Sequence, residues 1–82
     1  MAVAQQHEMN IRLNDTDRAI LREIDENGRA TTTLLAETVD VSRTYAGDRI
    51  RRLREHEFLT EVAPNLYQIT DTGRAKLADA EN

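Results

Sequence analysis

The sequence predicts a small α+β domain in which three helices precede a β-hairpin and a fourth helix follows it. Its 82 residues can bury roughly 60–65% of the unfolded surface, which is enough for one hydrophobic core. Apolar residues recur with a helical period of 3.6 as far as His56, and beyond it they fall into two short extended runs. These two periods, in this order, predict helices first and a hairpin second.

The first predicted helix begins at Asn14 or Asp15, both of which are good N-cap residues, and ends at Gly28. Its core-facing stripe has the i, i+3, i+4, i+7 spacing and consists of Asp17, Ile20, Leu21 and Ile24. Residues 1–13 lack a cap, so we expect an N-terminal arm that lies outside the core. The folded domain should then span residues 14–80.

Two further helices follow in quick succession. A short extended link, residues 29–31, leads to a threonine that caps the second helix. Residues 40–42 then separate it from a third helix over residues 42–56, for which Ser42 supplies the N-cap oxygen. Asp40 is suited to the turn because aspartate tolerates a left-handed conformation. Two helices joined by so short a turn outline a helix-turn-helix.

The hairpin is predicted from "FLTEVA" and "LYQIT", which flank Pro64 and Asn65. Proline followed by asparagine suits the two central positions of a tight turn. The segment "TDTGRAKLADA" then predicts a closing helix that is capped by Thr70 or Asp71. Helix, short strand, helix, helix, hairpin and helix is the element order of a winged helix-turn-helix, with a three-helix core, a wing sheet of two or three short strands and a C-terminal helix.

The third helix separates an apolar face from a charged one. At 100° per residue its buried stripe consists of Ala46, Ile50 and Leu53. The outer face, with the residues that flank it, consists of Arg43, Thr44, Tyr45, Gly47, Asp48, Arg51, Arg52 and Glu55. Residues 42–54 hold five arginines and one aspartate, a net charge of +4, while the whole chain carries −4, so the remainder carries −8. This asymmetry indicates a local anionic partner.

The outer face has side chains that can read a DNA major groove, which admits one helix. Arg43 can pair with guanine, Thr44 can contact a thymine methyl group and Asp48 can accept from cytosine. Gly47 is unfavourable within a helix, by about 1 kcal/mol relative to alanine, unless a backbone must come close to DNA.

Phosphate contacts complete the predicted DNA-binding set. Arg51 and Arg52 are better placed for phosphates, which position a protein without reading sequence. Helix N-termini attract anions, which brings in Ser42 and Thr32, and Asn65 lies in the predicted turn of the hairpin. The predicted set is Thr32, Ser42, Arg43, Thr44, Tyr45, Gly47, Asp48, Arg51, Arg52 and Asn65.

Several of these residues have simpler interpretations. Asp48 and Arg52 are spaced i, i+4 and are more readily explained as an ion pair. The arginines together can form a solvated helix face. Tyr45 can pack its ring beside the core and leave its hydroxyl in water, and Gly47 can mark a close crossing of two helices.

Other functions find little support in the composition. There is no cysteine, His7 and His56 have no partners at metal-ligand spacing, and no nucleophile–base pair or glycine-rich phosphate loop is present. We therefore expect no enzyme activity, no cofactor and no small-molecule ligand. No apolar run approaches the ~20 residues of a membrane span, and residues 1–10 do not resemble a signal peptide, which predicts a cytoplasmic protein.

Two segments resemble a known family: "LLAETVDVSRTYAGDRIRRLREHEFL" and "LYQITDTGRAKL". They are similar to the winged helix-turn-helix transcriptional regulators of haloarchaea, in particular the halophage phi-H repressor-like group. The acidic composition, with Lys76 as the one lysine, is typical of salt-adapted proteins. The resemblance implies DNA binding, transcriptional control and commonly a homodimer, with recognition-helix positions at Ser42, Arg43, Thr44, Tyr45, Gly47 and Asp48.

Two departures from that family pattern carry expectations of their own. Glu57 stands where related sequences usually have glycine, so we expect the third helix to end differently. The wing sequence "EVAPNLY" has no positive charge, so deep insertion of the wing into a minor groove is not expected. The leading hypothesis is a sequence-specific regulator of double-stranded DNA, most simply a repressor. The alternative is a winged-helix adaptor that binds other proteins.

Overall fold

The computed structural model describes residues 12–81 and has the predicted element order. The elements are α1 (Asp15–Asn27), β1 (Ala30–Thr31), α2 (Thr32–Val39), α3 (Arg43–Glu55), β2 (Leu59–Ala63), β3 (Leu66–Ile69) and α4 (Asp71–Ala80). The three strands form one antiparallel sheet in the order β1-β3-β2. The winged helix-turn-helix fold is confirmed.

Local capping explains why each helix begins where it does. Asn14 accepts a hydrogen bond from the backbone N–H of Asp17 at 2.7 Å, and the Asp17 carboxylate accepts one from the N–H of Asn14 at 3.0 Å. This reciprocal capping box satisfies two donors that the first turn would otherwise leave unpaired. Side-chain oxygens of Thr31, Ser42 and Thr70 cap the other three helices by accepting from a backbone N–H of the first turn, as the sequence predicted.

The core lies between the helices and the inner face of the sheet. It consists of Leu13, Ile20, Leu21, Ile24, Ala30, Leu35, Ile50, Leu53, Phe58, Leu59, Tyr67, Ile69 and Leu77. Leu13 is only 4% exposed, so the expectation that the arm extends to residue 13 is wrong at that residue. An apolar side chain next to the α1 N-cap can reach the core before the helix begins. Residues 1–11, the rest of the predicted arm, lie outside the described residues.

Both predicted turns are present and each contains a left-handed residue, which the sequence indicated for Asp40 only. Asp40 ends α2 with φ of 62°, and Asn65 has φ of 59° in the turn between β2 and β3. Aspartate and asparagine are the non-glycine residues that adopt this conformation most readily. No helix within residues 12–81 combines the length and the apolar character that a membrane crossing requires.

The end of α3 differs from the expectation attached to Glu57. Glu57 itself adopts the left-handed conformation, with φ of 65°, and takes the place that glycine would have. The N–H of Phe58 donates to the carbonyl of Leu53, and the N–H of Glu57 donates to that of Arg54, each at 2.9 Å. These two bonds form a Schellman motif. The helix therefore ends as it would with glycine, and Glu57 carries the steric cost of the conformation.

Packing requires the glycine at position 73. A Cβ atom at Gly73 would lie 2.1 Å from the backbone oxygen of Phe58. The first turn of α4 therefore rests directly on the chain that leaves α3. Thr70 stabilises this contact, because its backbone N–H donates to the same oxygen at 3.1 Å and its hydroxyl donates to the carbonyl of Glu57 at 2.6 Å.

One ion pair fixes α3 against α1. The carboxylate of Asp17 is 1% exposed and accepts two hydrogen bonds from the guanidinium of Arg49, each at 2.7 Å. The hydrogen bond to Asp17 raises the pKa of Arg49 above its ordinary value, although burial acts in the opposite direction. Arg49 is thus charged at any working pH, and its planar fork holds the two helices in one relative position.

We expect Arg49→Met to lower the free energy of unfolding by about 3–5 kcal/mol, because it leaves a buried carboxylate without its counter-charge. Arg52→Met is the matched control: it removes the same charge from the exposed side of the same helix and should change stability by less than about 0.5 kcal/mol. Urea unfolding of both variants makes the comparison. Equal losses in the two variants would show that the pair does not hold the fold.

We expect Glu57→Gly to raise the free energy of unfolding by about 1 kcal/mol, because a left-handed backbone costs roughly 1–2 kcal/mol in a residue with a Cβ atom. The melting temperature should rise by about 4–8 °C for a domain of this size. Glu55→Gly, two residues earlier and still helical, is the control and should be destabilising. A loss of stability in both variants would contradict the strain assigned to Glu57.

Candidate nucleic-acid interface

Helix α3 has the predicted division into a buried and an outer face. Ala46, Ile50 and Leu53 are at most 2% exposed. The residues that the sequence assigned to the outer face and its flanks lie in solvent: Arg43, Thr44, Tyr45, Asp48, Arg51, Arg52 and Glu55 are exposed, and Gly47 is half-buried. The N-cap residue Ser42 is exposed as well. The outer face of α3 is therefore open to solvent along the whole helix.

The five arginines of α3 divide into two groups. Arg49 is bound to Asp17. Arg54 pairs with Glu61 at 3.2 Å, and its guanidinium lies 5.6 Å from the centre of the Tyr67 ring. These two side chains hold α3 to α1 and to the sheet.

The second group is Arg43, Arg51 and Arg52, which point away from the protein. Within residues 12–81, Arg43 and Arg52 form no ion pair, and Arg51 lies 3.6 Å from Asp48. The interpretation of Asp48 and Arg52 as a pair is therefore wrong. Residues three apart are also neighbours on a helix, and Asp48 pairs with Arg51 instead of Arg52. Both partners are more than half exposed, so the pair is weak and a phosphate group can replace it.

Gly47 has open space where its side chain would be. A Cβ atom there would meet only the Cγ2 atom of Thr32, at 4.0 Å. This is ordinary van der Waals distance, so packing between α2 and α3 does not require a glycine. The interpretation as a close helix crossing therefore loses its support. The unfavourable mid-helix glycine is left without a reason inside the domain.

The turn of the wing lies against the start of α2. The hydroxyl of Thr32 donates to the side-chain oxygen of Asn65 at 2.8 Å, and the N–H of Asn65 donates to the carboxylate of Glu61 at 2.8 Å. Glu61 in turn holds Arg54. Two predicted site residues, Thr32 and Asn65, are thus brought together, and the wing is attached to both helices of the helix-turn-helix.

Tyr45 does more than the sequence indicated. Its side chain is exposed, but its hydroxyl accepts a hydrogen bond from the Nδ2 of Asn14 at 3.1 Å. The hydroxyl that the sequence left in water therefore also has a partner in the protein. Sequence reasoning assigned Asn14 to capping alone, since nothing local connects two residues 31 positions apart. Glu61, which accepts from the backbone of Asn65 only four residues along the chain, was missed because a carboxylate in a strand gives no signal of such a bond.

Two other kinds of site have no support in the described part of the chain. Residues 12–81 contain no group of three or more histidine, aspartate and glutamate side chains that can hold a metal ion. An open groove of about 740 Å³ lies where the end of α3 meets β2 and α4. It is lined by two arginines and by the carboxylates of Glu55, Glu57 and Glu61, so its charge does not favour a single class of ligand.

Comparison with known proteins agrees with this geometry. The model of the winged helix-turn-helix DNA-binding family matches residues 13–60. No curated protein matches the chain significantly in sequence. Among solved structures, the fold is similar to CouR, a transcriptional repressor bound to p-coumaroyl-CoA, with a TM-score of 0.78 and 24% identity over 90% of this chain and 54% of CouR.

Two further structures share the fold. A mutant of ZitR from Lactococcus lactis in complex with DNA has a TM-score of 0.76 and 18% identity, over 88% of this chain and 53% of ZitR. BpsR of Bordetella bronchiseptica, whose DNA binding is regulated by 6-hydroxynicotinic acid, has a TM-score of 0.77 and 19% identity, over 95% of this chain and 59% of BpsR. The chain spans about half the length of the solved structures that it matches.

The matched stretch includes α1, the helix-turn-helix and the start of the wing. It covers 48 of the 82 residues, more than half of the chain. The short turn between α2 and α3 and the exposed outer face of α3 are both present. The chain therefore belongs to the winged helix-turn-helix DNA-binding family.

Proposed function

We propose that this domain is a sequence-specific regulator of transcription that binds double-stranded DNA with α3 in the major groove. The observation that carries the proposal is the outer face of α3, where Arg43, Arg51 and Arg52 point into solvent on an otherwise acidic chain. An anionic partner is the simplest reason for three uncovered arginines at that place. The family of the chain makes that partner DNA.

The position of each residue along α3 supports a division of roles. Arg43, Thr44 and Asp48 read base edges, because they lie in the first half of the helix. Arg51 and Arg52 lie towards its end and contact phosphates. Ser42 and Thr32 add contacts at two helix N-termini, where backbone N–H groups attract anions. Asn65 adds a polar side chain from the wing turn.

We also infer a regulator that represses, that acts in the cytoplasm and that belongs to the haloarchaeal phi-H repressor-like group. The support for the group is the pair of motifs, and in the second of them Gly73 is required by packing. In concentrated salt, screening acts over ~3 Å at 1 M, so long-range attraction adds little affinity. A homodimer on two half-sites, about one helical turn apart, would compensate for this.

A protein-binding adaptor is the competing function. Leu34 and Val62 are large apolar side chains with 48% and 40% exposure, and the wing carries no positive charge. Such a surface can bind another protein. An adaptor, however, has no need of three uncovered arginines on the outer face of α3, and this favours DNA.

The proposal is tested by binding to genomic DNA fragments over a salt series with three variants. Arg43→Ala should remove selectivity between fragments, because a bidentate contact to guanine discriminates by about 1–3 kcal/mol. Arg51→Ala should weaken all fragments alike and lower the slope of log K against log salt by about 1. Lys76→Ala, on α4, removes the same charge and should change neither.

The same titration gives the stoichiometry, and two chains per bound site are expected. Retention of no fragment at any salt, by wild type or variants, would refute DNA binding and leave the adaptor. Selective binding that is indifferent to Arg43→Ala would refute the assignment of α3 as the reading helix.

Gly47→Ala separates folding from binding. It should raise the free energy of unfolding by about 1 kcal/mol, because alanine is the better helix former and the added methyl group meets only Thr32. It should weaken DNA binding at least ~5-fold, because an intruding methyl group costs about 1–3 kcal/mol in a packed contact. Thermal unfolding and DNA titration measure the two effects, and unchanged affinity would show that the backbone at residue 47 stays away from DNA.

A further inference from the structure

The capping box of α1 is connected to the outer face of α3 through side chains. Asn14 donates to the hydroxyl of Tyr45 at 3.1 Å, and Asp17 accepts both hydrogen bonds of Arg49. Tyr45 and Arg49 are one helical turn apart on α3, so they lie on the same side of it. The start of α1 thus touches two successive turns of the helix that is proposed to read DNA.

The direction of the hydrogen bond between Asn14 and Tyr45 follows from the other bonds of Asn14. Its side-chain oxygen accepts from the N–H of Asp17 at 2.7 Å, so the oxygen faces α1. The amide nitrogen must then face Tyr45, and it is a donor only. The hydroxyl of Tyr45 is therefore the acceptor in this bond.

An acceptor hydroxyl keeps its own proton for another partner. Within residues 12–81 the O–H of Tyr45 donates to no protein group, and its side chain is 40% exposed. Donating to it from Asn14 polarises the O–H bond and strengthens the bond that it can donate. The hydroxyl is thus a solvent-accessible donor that Asn14 holds at the edge of the outer face.

We propose that Tyr45 donates a hydrogen bond to a DNA phosphate oxygen and that Asn14 is the positioning residue that holds Tyr45 for this contact. The inference rests on the proposed function, because it needs α3 in the major groove. A phosphate fits better than a base, because Tyr45 flanks the outer face and does not lie at its centre. Tyrosine hydroxyls are among the groups that contact phosphates in protein–DNA complexes.

Asp17 and Arg49 together keep Asn14 in place. Asp17 accepts from the backbone N–H of Asn14 at 3.0 Å and is itself fixed by Arg49. Any tilt of α3 against α1 would break both connections together. Tyr45 therefore has little freedom to lose when DNA binds, which favours affinity.

The test is a double-mutant cycle with Tyr45→Phe and Asn14→Ser on a selected DNA fragment. Serine preserves the N-cap hydrogen bond, but it lacks the side-chain amide that donates to the hydroxyl of Tyr45. Tyr45→Phe should weaken binding about 10-fold per bound chain, as expected for a lost hydrogen bond to a charged group. Asn14→Ser should weaken binding in the tyrosine background and have no effect in the phenylalanine background.

Two further readouts distinguish this role from general damage to the fold. Tyr45→Phe removes no charge, so the slope of log K against log salt should stay at the wild-type value, in contrast to Arg51→Ala. Asn14→Asp keeps the cap, but its carboxylate accepts a hydrogen bond from the Tyr45 hydroxyl, which is then no longer free to donate to a phosphate. It should bind DNA more weakly than Asn14→Ser, and the difference should shrink in the phenylalanine background. Thermal unfolding of each variant verifies the fold.

Equal effects of Asn14→Ser in the two backgrounds would overturn the proposal, as would unchanged binding by Tyr45→Phe. In either case wild type still selects fragments and Arg43→Ala still disturbs the selection, so the proposed function stands. Failure of the wild-type protein to bind DNA would instead refute the proposed function.

Discussion

A carboxylate with almost no access to water governs the arrangement of this domain. Asp17 stands in a stripe of apolar residues, where an unpaired charge would be too costly to keep. Two parallel hydrogen bonds from Arg49 neutralise it and, being planar, also fix the direction of α3. The outer face of α3 is useful to a partner only if it is held at one angle, and the pair supplies that angle. A buried ion pair of this kind selects one arrangement of the two helices, and this explains its presence better than a gain in stability does.

The pair also explains part of the unusual charge of the chain. An acidic protein has five arginines in one helix because that helix has two tasks. Arg49 and Arg54 satisfy Asp17 and Glu61 and so build the fold, whereas the other three are exposed and, in the proposed function, contact DNA. The local excess of positive charge at the surface is therefore smaller than the sequence count, and what remains is concentrated on one side.

The sequence was sufficient for features that depend on neighbours in the chain. Caps, the apolar stripes, the left-handed Asp40 and the turn at Asn65 follow from residue type and spacing, and all were predicted. Contacts between distant segments were not, because no periodicity connects Asn14 with Tyr45 or Asp17 with Arg49. The expectation attached to Glu57 was wrong for a different reason. The sequence shows a residue that is unfavourable in the left-handed conformation. It does not show that the Schellman hydrogen bonds and the burial of Phe58 outweigh that strain.

The uncharged hydrogen-bond donors near α3 matter for binding in concentrated salt. Contacts made by arginine to phosphate weaken as salt rises because they release counterions. Hydrogen bonds from uncharged groups release none, and this domain presents several at the same surface, including Tyr45, Thr44 and Asn65. Their orientation is set by protein partners for Tyr45 and Asn65, so little ordering is left for DNA to impose. In the proposed complex an acidic domain binds an acidic polymer in this way: the arginines select the helix face that meets DNA, and the pre-oriented neutral groups retain affinity where charge is screened.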